Sequence, residues 1–502
     1  MSASARWLAA RSIVARLEVP RYCRDGAYRQ QVLGWVERGL GGVCLFGGGI
    51  DEVARAVAEL LATATVPLIV AADLEYGLPM RFRGGTAFPR AYALGRTGNP
   101  AWTLRVASAI ARQARSLGIG WNFAPVCDIA SNPANPVIGI RAFGQSPQEV
   151  IPHIRVWIEA SQAAGVWACA KHFPGHGDVT VDSHLALPTV TADAQTLHNR
   201  ELLPFRAAVE AGVVGVMLGH LLVPALGIEP LPASLSAEAV SLLRDEWGYD
   251  GLILTDALDM GAITQHWTTA EAVELALRAG VDLLLMPADV EEALAAAARL
   301  MEAEPALVEQ RRRSLLRLQR LRELSPPPEE VAEHYEALEE LELAVQSARA
   351  AVEYHADGLL PLPQQGRVAI FAFLGTPQPE LATLFFRLLS QHARCTCDIA
   401  YVDARSTSEE EQRLLDSAGE ATQVVVLFLA PPRLDPAMVQ RWYDFTQRCS
   451  VRWPTVVVLA GNPFVPVPST ATAVVRTYSD TEPSVAVAAF LLSGVWTTQA
   501  GE

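Results

Sequence analysis

Leu68-Ile69-Val70-Ala71-Ala72-Asp73 is an unbroken apolar run that ends on a carboxylate, and the design recurs along the chain. Ala168-Cys169-Ala170-Lys171-His172 ends on an ammonium and an imidazole, and Gly251-Leu252-Ile253-Leu254-Thr255-Asp256 ends again on an aspartate. Short runs without polar alternation suit strands buried on both faces, as in parallel sheets. Such runs predict strands at 12–19, 41–45, 67–72, 121–125, 168–172, 215–220, 252–256 and 282–286. Stretches of helical period at 51–62, 101–117, 148–164, 195–211, 237–247 and 269–279 lie between them. Eight such units predict an α/β fold, a (β/α)8 barrel, over residues 1–300. The polar residues support the barrel over an open sheet. Asp73, Glu75, Asp128, Lys171, His172, His220 and Asp256 all follow strand ends, which share one rim in a barrel.

Beyond residue 300 the pattern changes. Residues 301–365 read as a helical linker, charged at Arg311-Arg312-Arg313 and broken at Pro326-Pro327-Pro328, with a further helix expected over 329–354. The Arg run reads as a solvated helical face. Buried strands predicted at 367–373, 397–401, 423–429, 455–459 and 473–476 make residues 366–502 a smaller α/β domain of three layers, an αβα sandwich. Neither Gly-rich phosphate motif occurs in it.

Composition narrows the function classes. A net charge of -15 argues against a nucleic-acid partner. The 7 cysteines are scattered, without a CxxC pair, and predict no disulfide framework. Arg6, Arg11 and Arg16 interrupt the N-terminal apolar residues, and no apolar run reaches the roughly 18–20 residues of a membrane span. The expectation is a soluble cytoplasmic protein without a membrane partner.

Lys171 is the one lysine among 40 basic residues, which points to a site where a guanidinium does not substitute. It opens Lys171-His172-Phe173-Pro174-Gly175-His176-Gly177-Asp178, followed by Asp182-Ser183-His184. An Asp two residues before a His can hold one ring nitrogen and leave the other for proton transfer, the arrangement of a general acid/base. At Asp256 three roles fit: nucleophile, metal ligand or substrate hydrogen-bond partner. Asp73 with Arg81 suits paired sugar hydroxyls, and Arg141 follows a Pro/Gly-rich loop of the kind that frames sites. His172 and His176 lack standard zinc spacing because Pro174-Gly175 breaks any helix between them, so neither metal nor cofactor is expected.

These residues resemble glycoside hydrolase family 3, on its β-N-acetylglucosaminidase branch in two-domain form. The likeness is carried by the Lys171–Gly177 and Asp182-Ser183-His184 runs, by Asp73-Leu74-Glu75-Tyr76-Gly77, and by Asn122-Phe123-Ala124-Pro125-Val126 with Asp128. Arg141-Ala142-Phe143-Gly144 and Thr255-Asp256-Ala257-Leu258-Asp259-Met260 extend it. The resemblance implies a retaining hydrolase that releases terminal N-acetylglucosamine from peptidoglycan fragments or chito-oligosaccharides. It implies Asp256 as nucleophile, His184 as general acid/base oriented by Asp182, and Asp73, Arg81, Arg141, Lys171 and His172 as sugar-binding residues. It places no catalytic residue beyond Pro363. The family usually reads Glu-Gly-Gly where this chain has Glu75-Tyr76-Gly77, which alters bulk near the pocket. A phosphorylase of the same family, a β-glucosidase and a non-catalytic sugar-binding protein are the alternatives.

Overall fold

The structure is a computed structural model that describes residues 3–324, 337–356, 358–374, 379–403, 405–430 and 435–496. Two compact units emerge: Met1–Thr86, Pro100–Ile138 and Ala142–Ala337 form the first, and Ala87–Asn99, Gly139–Arg141 and Leu338–Glu502 the second.

The first unit holds eight parallel strands: β1 (Ile13–Glu18), β2 (Gly42–Phe46), β3 (Ile69–Ala72), β4 (Trp121–Asn122), β5 (Cys169–Phe173), β6 (Gly215–Leu218), β7 (Leu252–Thr255) and β8 (Leu284–Leu285). They pair in the orders β4-β3-β2-β1-β8 and β5-β6-β7. Single parallel bridges, Trp121 to Trp167 and Leu254 to Leu283, join the two arcs into a ring. All eight strands expected from the apolar runs are present. Side chains such as Ile69, Trp121, Trp167, Cys169, Met217 and Leu254 fill the interior, so the barrel is a packed core with its chemistry at the rim.

The surrounding helices start and stop where local chemistry directs. In Thr269–Ala279, Thr268 and Glu271 form a capping box, and Gly280 at φ 101° ends the helix in a conformation glycine adopts without steric cost. The helix expected over 51–62 spans Ile50–Thr63 and buries Val53, Ala56, Val57 and Leu60 against the barrel.

Beyond β8 the charged segment splits at Pro305 into Val290–Ala303 and Pro305–Leu324. The second of these helices closes the base of the barrel, with Leu318 in the interior cluster. Arg311, expected to be solvated, is instead buried and donates to the Asp282 carbonyl at 3.0 Å. Ser314 donates to the Asp282 carboxylate at 2.6 Å. Asp282, at the foot of β8, recruits the helix, so residues 305–324 belong to the barrel unit and not to a linker. The expected proline break at 326–328 and residues 329–336 of the expected second helix lie outside the described residues. Its described part is Ala337–Ala351.

The second unit is a six-stranded sheet whose strands are β9 (Glu353–His355), β10 (Arg367–Leu374), β11 (Thr396–Val402), β12 (Gln423–Ala430), β13 (Thr455–Gly461) and β14 (Ala473–Arg476). The order is β11-β10-β12-β13-β14-β9, parallel except for β9. Helices Pro379–His392 and Glu482–Ser493 cover one face, and Ser408–Ser417 with Pro436–Arg452 cover the other. This is the three-layer arrangement expected, with an edge strand beginning before residue 366 that exposed Glu353-Tyr354-His355 did not reveal. Residues 87–99, expected in a contiguous barrel, join this unit: Arg90 pairs with Asp480 at 2.7 Å, and the Tyr92 ring meets Phe464 and Tyr478.

Candidate active site

A buried charge cluster gathers around Lys171 at the rim of the barrel. Its ammonium donates to Asp73 at 2.7 Å and Glu75 at 2.9 Å, and Arg81 donates to the second oxygen of Asp73 at 2.6 Å. Asp73 and Glu75 follow β3, whereas Lys171 lies on β5. Burial works to raise the pKa of Asp73, but Lys171 and Arg81 overrule it and hold the carboxyl below its ordinary value. The Arg81 guanidinium also stacks 4.8 Å from the centre of the Phe46 ring. Ionised donors and acceptors held rigidly in a part-dry recess suit paired sugar hydroxyls.

Beside it, Asp128 organises the start of the following loop. Its Oδ2 accepts from the His172 backbone N at 3.1 Å and from His172 Nδ1 at 2.7 Å, and its Oδ1 accepts from the His176 N at 2.7 Å. His176 is buried and meets Ser183 Oγ through Nε2 at 2.9 Å. Burial lowers the His176 pKa to about 4. His176 and Asp178, which pairs with Arg200, therefore shape the loop.

Asp256 stands at the end of β7. Its Oδ1 accepts from the Ala257 N at 2.7 Å. Burial pushes its pKa up, yet His220, His172, the Ala257 N–H and Lys171 together bring it below the usual value. A carboxylate kept ionised in a partly buried rim position is suited to attack an electrophilic carbon. Behind it, His220 Nε2 donates to the Ala257 carbonyl at 2.8 Å, so Nδ1 accepts from Ser234 Oγ at 2.7 Å. This buried bridge holds the backbone at Ala257, the residue whose N–H donates to Asp256.

The remaining pair sits on the loop after β5. Asp182 Oδ1 accepts from both the His184 backbone N and His184 Nδ1, each at 2.9 Å. Nε2 is left to exchange a proton. The His184 side chain is 61% exposed. The loop is nevertheless anchored: Gly261 N donates to the His184 carbonyl at 3.1 Å, and Gln265 Nε2 to the Leu185 carbonyl at 2.6 Å. Both donors belong to the segment that follows Asp256. A Cβ at position 261 would approach the His184 oxygen to 2.6 Å, so the docking requires glycine there.

Of the residues singled out from sequence, Asp73, Arg81, Lys171 and His172 gather at the strand ends with Asp256 within electrostatic reach, and Asp182 and His184 form the paired dyad. Arg141 falls in Gly139–Arg141, which groups with the second unit. Glu75, Asp128 and His220 were visible as polar residues after strands, but their partners were not. Gln265 carried no signal. Among the described residues no set of three His, Cys, Asp or Glu side chains is arranged to hold a metal, and no helix is long and apolar enough to cross a membrane.

Similar proteins share this frame. The model of the glycosyl hydrolase family 3 N-terminal domain matches residues 14–320. Beta-hexosaminidase A of Pseudoalteromonas piscicida is 33% identical over 373 residues, 66% of this chain and 62% of that protein. The chain thus spans less than two thirds of that relative's length. A beta-hexosaminidase of Mycobacterium tuberculosis is 40% identical over 275 residues, 52% of this chain and 69% of that protein. The solved structure of a family 3 beta-N-acetylglucosaminidase from Paenibacillus sp. superposes with a TM-score of 0.84 at 29% identity, over 99% of this chain and 98% of that one. The matched span contains every barrel-rim residue just described, and the chain belongs to glycosyl hydrolase family 3.

Proposed function

We propose that the chain is a retaining β-N-acetylglucosaminidase that removes terminal N-acetylglucosamine from peptidoglycan fragments or chito-oligosaccharides. The observation that carries the reading is the placement of an ionised Asp256 and the Asp182–His184 dyad on neighbouring rim segments beside the Lys171 cluster. In the first step the Asp256 carboxylate attacks the anomeric carbon and the bond to the leaving oxygen breaks. His184, as the imidazolium with its Nδ1–H held by Asp182, gives that oxygen its Nε2 proton and becomes the neutral imidazole. In the second step His184 takes a proton from water, whose oxygen attacks the same carbon and releases Asp256. Two inversions return the original configuration. Asp73, Arg81, Lys171 and His172 grip the sugar. The hexosaminidase and N-acetylglucosaminidase relatives support the substrate class.

A histidine in place of the usual second carboxyl favours an anionic partner, because a neutral imidazole does not repel it. The same chemistry admits phosphate as acceptor, a second reading that rests on the dyad. A panel of p-nitrophenyl β-glycosides, with and without phosphate, separates the readings. Release from the N-acetylglucosaminide without phosphate, lost in Asp256→Asn, supports hydrolysis. Dependence on phosphate with a sugar 1-phosphate product replaces it with phosphorolysis, and no turnover of any glycoside refutes both.

A further inference from the structure

The opposite end of the barrel holds a second recess. A cleft of about 790 Å³ opens at the base, between helix Ala3–Arg11, the end of Ile50–Thr63, the approach to β3 and helix Pro305–Leu324. Trp7, Leu61, Pro67 and Leu318 give it mostly apolar walls, and Arg11 and Arg322 line it with them. Arg11 is buried and, among the described residues, donates to carbonyls alone, to Leu40 at 3.2 Å and Pro67 at 3.1 Å. Arg322 donates to the same Pro67 carbonyl at 2.9 Å, and its Nε is buried with no hydrogen-bond partner among the described residues. The nearby carboxylate, Glu323, is exposed and accepts from Gln319 at 2.9 Å.

Two guanidiniums that share one carbonyl, without an acid partner among the described residues, carry an uncompensated charge. Buried charge is ordinarily paired. Burial alone brings Arg11 down to about 10, and burial with repulsion from Arg11 brings Arg322 down to about 9. The excess sits in a chain whose net charge is -15, so it is local and not part of a general basic surface. The volume falls within the roughly 300–1,000 Å³ of small-molecule sites.

We propose that this basal cleft binds an amphiphilic organic anion, its acidic head against Arg11 and Arg322 and its apolar body along Trp7, Leu61 and Leu318. The site is separate from the rim and independent of the glycosidase reading. Isothermal titration of the full chain with decanoate tests it, with decanol and inorganic phosphate as single-feature probes. Saturable decanoate binding, at least about tenfold weaker for decanol and for Arg322→Gln, is expected; Arg322 is partly exposed, so that variant should keep the parent's unfolding midpoint. Trp7→Phe should remove the accompanying fluorescence change. Equal binding by decanol, unchanged affinity in Arg322→Gln, or no binding overturns the proposal. Binding that appears only after residues 325–336 are replaced by a Gly/Ser linker also overturns it, since the chain itself is then the occupant.

Discussion

Lys171 is buried on β5 and held by Asp73 and Glu75 at 2.7 and 2.9 Å, whereas His184 stands 61% exposed on a loop with Asp182 at 2.9 Å. The first arrangement fixes charges in advance. Each ion offsets the desolvation of its neighbours, so the group belongs to the stability of the barrel as much as to its chemistry. The second leaves a proton carrier near solvent, with only its tautomer and its backbone anchor fixed. A pocket that grips one sugar requires rigidity, while a donor that serves varied leaving groups requires access. Substitutions on the two sides should therefore separate stability from turnover.

The largest separation is expected at His184. His184→Ala should lower kcat by about 10²–10⁴-fold on a glycoside with a poor leaving group, the range for a lost general acid. Its unfolding free energy should change by less than about 0.5 kcal/mol, as for surface substitutions generally. Lys171→Met should cost stability as well as sugar binding. Removing the ammonium leaves Asp73 and Glu75 facing each other at low exposure, and urea unfolding should show a loss of about 3 kcal/mol. If both variants lose stability equally, the contrast between strand and loop is wrong.

A smaller effect, on the order of 2 kcal/mol, is expected from pH at Glu201. Its side chain is buried, Oε2 has no hydrogen-bond partner, and Arg200 only partly counters the burial that raises its pKa to about 7. Between the ordinary Glu value near 4.3 and about 7, the folded state keeps a proton that the unfolded state has lost. This stabilisation is complete below the unfolded value and fades as pH rises through the folded one. Denaturant midpoints at pH 5 and pH 8 should fall more for the parent than for Glu201→Gln. The smallest effect sharpens the loop side: Gln265→Ala removes one hydrogen bond to the Leu185 carbonyl, about 1 kcal/mol, and should lower kcat about fivefold with little change in stability.

The sequence announced the barrel because its strands are buried on both faces, and the rim because polar residues close those apolar runs. The Asp182–His184 pair was legible for a local reason: both members lie within one turn of chain. Lys171 with Asp73 was less so, since their pairing crosses the ring from β5 to β3. His220 donating to the Ala257 carbonyl and Gln265 to the Leu185 carbonyl were hidden, because a backbone acceptor leaves no mark in a side-chain pattern. Arg311 misled for a similar reason. An arginine triplet on a helix looks solvated until Asp282, far behind in sequence, supplies the carbonyl and carboxylate that draw the helix in.

The central claim is that Asp256 becomes covalently attached to the sugar while His184 handles the proton. Incubation with a 5-fluoro N-acetylglucosaminyl fluoride, followed by proteolysis and mass spectrometry, tests it most directly. The account predicts one labelled peptide carrying the sugar on Asp256, and slower breakdown of that adduct in His184→Ala, where the general base is lost. A label on another residue, or steady turnover of the reagent without any adduct, would contradict it.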